Sequence, residues 1–178
     1  MKRLILVLSA VALSVPAVCR AQDGTGPLAS AMKTTLTRYT TNMPGAAELM
    51  PADKYGFKPT PEQLSFGEIL AHEAGSNEAL CGAIAGGPAA ATPAGAGPAA
   101  PKDSLVARLK KSFEYCGSVI AQLKENALGD SVSVSATRKM TRARAIIVLA
   151  LDWADHYAQA AMYLRANGIL PPSARPRQ

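Results

Sequence analysis

The chain has two histidines, His72 and His156, and the second follows Asp152 by four residues. On a helix that spacing sets carboxylate and imidazole on one face. Such a pair can grip one ion, or the two side chains can simply hold each other and stabilise their own helix. The chemistry therefore depends on whether folding brings His72 to the Asp152/His156 face. Asp155 is rotated about 100° from His156 on a helix of 3.6 residues per turn. That position suits an acceptor that orients an imidazole better than it suits a ligand. Glu73 and Asn77 are further candidates for the surroundings of His72. Trp153 and Tyr157 could wall a pocket, although aromatics at helical spacing are mostly core.

Four segments have the periodicity to position these residues. Leu28, Met32, Leu36, Tyr39, Met43 and Met50 recur in steps that predict an amphipathic helix over 27–50, with Pro44 as a break or kink. Pro51, Pro59 and Pro61 make 51–64 an ordered connector, with Tyr55 and Phe57 packing it onto the body. Ser65 and Glu68 match a capping box that opens a second helix over 66–84. In that helix, Phe66, Ile69, Leu70, Leu80 and Ile84 place His72 at the core-facing edge. A Gly/Ala/Pro tract over 86–101 reads as a flexible crossover loop. The stripe Leu105, Leu109, Phe113, Cys116, Ile120 and Leu123 predicts a third helix over 104–126. The alternating Ser131–Ser135 reads as an extended loop, for want of a partner strand. A fourth helix begins near Thr137 or Thr141 and ends at Asn167, where Gly168 caps it and Pro171-Pro172 follow. The fold class expected is all-α, a four-helix bundle with long crossover loops.

Compartment and charge narrow the function. Met1-Lys2-Arg3, the apolar stretch Leu4–Val18 and the small residues before Ala21 have the form of a secretory signal peptide. On that reading 1–21 is removed, Cys19 included, and 22–178 is one domain, exported to the periplasm and without a membrane span. The 19 basic residues then lose Lys2, Arg3 and Arg20, which leaves 16 against 13 acids, a net charge near +3. Arg138, Lys139, Arg142 and Arg144 form the densest basic run, with no aromatic platform among them. A nucleic acid is therefore not an expected partner. Cys81 and Cys116 remain, and export permits a disulfide between them. Two buried core thiols fit the sequence equally well.

Several of these segments together resemble one family. The stretch Met50–Pro61, the run Ser65-Phe66-Gly67-Glu68 through His72, and His156–Gln159 followed by Tyr163–Pro172 are similar to the DinB-like superfamily of four-helix bundles, in its exported bacterial branch. The resemblance implies a divalent metal on three histidines, one on helix two and a pair four apart on helix four. Carried over, these fall on His72, Asp152 and His156. Asp152 stands where the family has a histidine, and Ala158 where it often has a glycine. Two imidazoles and a carboxylate still suit Zn²⁺, Ni²⁺, Mn²⁺ or Fe²⁺. Asp is shorter than His, so an ion must sit nearer helix four or reach Asp152 through a water. The resemblance further implies a metal-dependent hydrolase or thiol-type transferase acting on an unidentified small molecule, and a homodimer. Export weakens the thiol version, since small thiols serve mainly in the cytoplasm. The alternative is a non-catalytic periplasmic bundle that binds a ligand or partner through a degenerate metal site.

Overall fold

The computed structural model describes residues 26–88 and 97–176. The expected signal peptide, with Cys19, and residues 89–96 of the Gly/Ala/Pro tract lie outside the described residues. Four helices carry the fold: α1 (Pro27–Leu49), α2 (Phe66–Ala85), α3 (Lys102–Ala121) and α4 (Arg142–Ala166). Each of α1 and α2 packs on both α3 and α4, so α1 and α2 sit diagonally across the bundle. α2 and α4 are therefore neighbours, which brings the two histidine-bearing helices side by side. Among the described residues no helix is long and apolar enough to cross a membrane.

The helix ends follow local chemistry. Ser65 and Glu68 form the full capping box: the Ser65 hydroxyl accepts from the Glu68 amide at 3.2 Å, and the Glu68 carboxylate accepts from the Ser65 amide at 2.7 Å. Those bonds and Lys58 hold the Glu68 carboxyl down at about 2. α4 starts one residue after Thr141, whose hydroxyl accepts from the Arg144 amide. Its far end closes with Gly168 at φ +72°, where the Ile169 amide reaches back to the Leu164 carbonyl and the Gly168 amide to that of Arg165. This six-to-one, five-to-two pattern requires a left-handed residue, and Gly168 supplies it without a Cβ penalty. α1 has no capping side chain of its own. Glu125, from a short turn after α3, accepts from the amides of Leu28 and Ala29 at 3.1 and 3.3 Å. A carboxylate there also opposes the positive end of the helix dipole.

Three expectations need correction. α1 runs through Pro44 without interruption, and Pro44 is itself buried. α3 ends at Ala121 instead of 126, and a separate turn over Glu125–Ala127 follows. The segment read as an extended loop is a strand after all: Ser131–Ser133 pairs antiparallel with Lys139–Thr141, Val132 opposite Met140. The partner strand was hidden because it is only three residues long and opens on Lys139, a residue depleted in strands.

The core is centred on Trp153, which is 1% exposed. Its ring lies 6.1 Å from Tyr39 of α1 and 5.7 Å from Phe113 of α3, and its indole donates to Asn77 Oδ1 of α2 at 2.6 Å. One residue thus touches all the other helices. Asn77 in turn donates to Ser112, and the Ser112 hydroxyl donates to the Leu109 carbonyl, so this buried polar chain is satisfied. The connector packs as expected, with the Tyr55 hydroxyl donating to the Ala47 carbonyl and Phe57 edge-on to Tyr163. Cys81 and Cys116 are joined by a disulfide, Cα atoms 5.4 Å apart, which ties α2 to α3.

Candidate metal centre

The groove between α2 and α4 gathers the three residues. One potential ligand atom each from His72, Asp152 and His156 lies within 4.8 Å of the other two. The imidazole rings of His72 and His156 are 4.7 Å apart, centre to centre. The depths differ: His72 is exposed, Asp152 is intermediate and His156 is buried. His72 therefore stands outside the core-facing edge that its helix stripe suggested. The line that α2 buries runs through Glu73 and Asn77, both 0% exposed, and that rotation turns His72 outward to the groove.

His156 is held on its Nδ1 side. Nδ1 is 2.9 Å from the Asp152 carbonyl, 3.2 Å from Glu73 Oε2 and 3.5 Å from Asp152 Oδ1. An imidazole nitrogen surrounded by acceptors keeps its proton, so when the ring is neutral the lone pair lies on Nε2. Nδ1–H aligns with the Asp152 carbonyl. Neither Glu73 oxygen has a well-aligned hydrogen bond, although Oε2 is at ion-pair distance. Burial raises the Glu73 carboxyl above its usual range, with the charge of Asp152 adding to the rise and His156 opposing it. For His156, burial works against the charged form. The bond to Glu73 and the charges of Asp152 and Glu73 outweigh it, and His156 is pushed up to about 9. The two shifts describe one proton shared by a tight pair. The pair as a unit keeps that proton well above the ordinary imidazole range.

Asp155 does not take the orienting role expected of it. It is exposed, and its Oδ2 accepts from Gln159 Nε2 on the outer face of α4. One residue of helix rotation separates it from His156, and the inner side is already filled by Glu73. The sequence does carry a signal for Glu73, an acid set among the apolar positions of α2, but acids in a stripe are commonly surface residues. Trp153 and Tyr157 are core, not pocket wall.

The donor set fits a divalent cation. Two imidazoles and a carboxylate converge, and Asp152 Oδ2 and both Glu73 oxygens are buried with no hydrogen-bond partner among the described residues. Buried carboxylate oxygens left this way cost several kcal/mol unless a cation or proton compensates them.

A family model described as the DinB superfamily matches residues 35–160. Among solved structures, a DinB-like protein from Bacillus subtilis superposes with a TM-score of 0.66 at 20% identity, over 83% of this chain and 99% of that one. At that identity the likeness concerns the fold. Among curated proteins nothing matches the chain.

Proposed function

The chain belongs to the DinB superfamily, whose members often bind metal, and on that premise we propose that it is an exported protein that holds one divalent ion between α2 and α4. His72, Asp152 and His156 would supply the ligands, with Nε2 as the ligating atom of His156. The observation that carries this reading is the convergence of those three groups, with Asp152 Oδ2 buried and lacking a hydrogen-bond partner among the described residues. An ion there would supply Lewis acidity, polarising a substrate oxygen or lowering the pKa of a water or thiol. The chain's own residues fix the ligands: the Asp152 carbonyl holds His156 by Nδ1, and exposed His72 leaves one side of the groove open to a small substrate. Hydrolysis fits an exported chain better than transfer to a small thiol.

Export rests on the signal-like Met1–Ala21 and is supported by the Cys81–Cys116 disulfide, which belongs to oxidising compartments. The mature chain from residue 22 would then form a single bundle domain. A second reading, a non-catalytic binding bundle, is favoured by one observation: Asp155, the nearest free-standing acid on α4, faces solvent and gives the groove no proton acceptor.

Metal analysis of protein purified from its native compartment tests the proposal. About one equivalent of a divalent ion is expected, lost in both His72→Ala and His156→Ala while circular dichroism stays helical. Metal-free wild-type protein, or metal retained in both variants, would overturn it. Metal lost on careful purification, together with a melting curve unmoved by chelator, would favour the second reading.

A further inference from the structure

Two buried glutamates on α2 behave differently. Glu78 accepts two bonds from Arg108, from Nε at 3.0 Å and from Nη2 at 2.7 Å, and so ties α2 to α3 as a satisfied pair. Glu73, five residues earlier, is 0% exposed and has no aligned donor on either oxygen. The nearby Asn77 chain is satisfied as well, so the unsatisfied polar groups on this helix concentrate at the metal groove. A purely structural position gains nothing from such a carboxylate, because an apolar side chain of similar volume removes the desolvation cost. What Glu73 does touch is His156 Nδ1, at 3.2 Å. Carboxylates placed on the far nitrogen of a ligating imidazole fix its tautomer and raise its basicity.

We infer that Glu73 is a positioning residue of the metal centre: it holds His156 by Nδ1 so that Nε2 is presented to the ion. The inference rests on the metal reading above and adds a fourth residue to it. It also gives a site with aspartate in place of a histidine a means of keeping affinity. The carboxylate behind His156 strengthens the imidazole that remains, and the pair it forms is anchored to α2 from inside the bundle.

The test compares Glu73→Leu and Glu73→Gln with the wild type, using zinc alone as the probe in competition with a chromophoric chelator. Zinc affinity should fall by roughly 10- to 100-fold in Glu73→Leu. Circular dichroism of the metal-free Leu variant should stay helical, so that the fall in affinity is not a loss of fold. Breaking the buried pair lowers the melting temperature in either role, so the zinc affinity and the state of His156 decide. ¹⁵N spectra of zinc-loaded protein labelled in its two histidines should show Nε2 of His156 bound to zinc in the wild type, with the Nδ1 resonance shifted in the Leu variant, where the Asp152 carbonyl alone holds Nδ1–H. Should Glu73→Leu fail to fold, Glu73→Gln decides: it keeps the shape but not the charge, and its zinc affinity should drop about tenfold. Folded variants with wild-type affinity and an unchanged His156 signal would overturn the inference and leave the three-ligand reading standing. Wild-type protein that takes up no zinc would overturn both.

Discussion

Asp152 sets the character of the site. An oxygen donor in place of an imidazole shifts preference away from nickel and zinc and towards manganese and iron(II). Asp152→His should therefore raise nickel and zinc affinity on the order of tenfold, about 1.4 kcal/mol, relative to manganese. Competitive metal binding with purified apoprotein measures this directly, and an unchanged preference would remove Asp152 from the ligand set. The Glu73–His156 pair makes a second prediction. The pair binds its one shared proton more tightly in the folded chain, through the burial of Glu73 and the carboxylates around His156. The native state therefore holds more protons than the unfolded one, and metal-free stability must fall as pH rises. The His156 contribution is complete below its ordinary 6.5 and is lost as pH climbs through about 9. Melting temperatures in chelator at pH 6, 7.5 and 9 should decrease in that order, and the slope should flatten in His156→Ala. Metal uptake should strengthen over the same range, because the ion needs the Nε2 lone pair that the protonated ring lacks.

At the scale of single helices, each end draws on a different device, and the devices differ in how local they are. The α2 capping box and the glycine turn after α4 involve residues within a few positions of each other. The start of α1 depends instead on Glu125, almost a hundred residues away, which accepts from Leu28 and Ala29. Glu125→Ala should cost about 1 kcal/mol, the usual loss for a removed cap. Hydrogen exchange should rise in the first turn of α1 and leave α2 and α4 unchanged. Exchange rising throughout would mean that the turn over Glu125–Ala127 braces the whole bundle.

For the molecule as a whole, the diagonal placement of α1 and α2 makes α2 and α4 neighbours and so creates the groove. The disulfide fixes α2 from the other side, onto α3, across a separation of 35 residues. By loop entropy it should stabilise the fold by roughly 4 kcal/mol. Urea unfolding with and without reductant checks this, and a midpoint unaffected by reductant would show that the bond constrains little in the unfolded chain.

The sequence by itself determined the four helices, the caps of α2 and α4 and the fold class. These depend on periodicity and on residues within one turn of each other, and Ser65, Glu68, Thr141 and Gly168 act as their types dictate. It also singled out His72, Asp152 and His156, through spacing and a family resemblance. Tertiary structure alone decided which side of α2 faces inward. A stripe that includes Glu73 and Asn77 does not fix its own phase, because one residue of rotation exchanges an apolar position for a polar one. The buried line was settled by what α4 and α3 offer in return: an indole and a serine for Asn77, an imidazole for Glu73. That rotation turned His72 out to the groove and made Glu73, not Asp155, the residue behind His156. Polar side chains enter a core only when a partner waits there, and the partner lies on another helix.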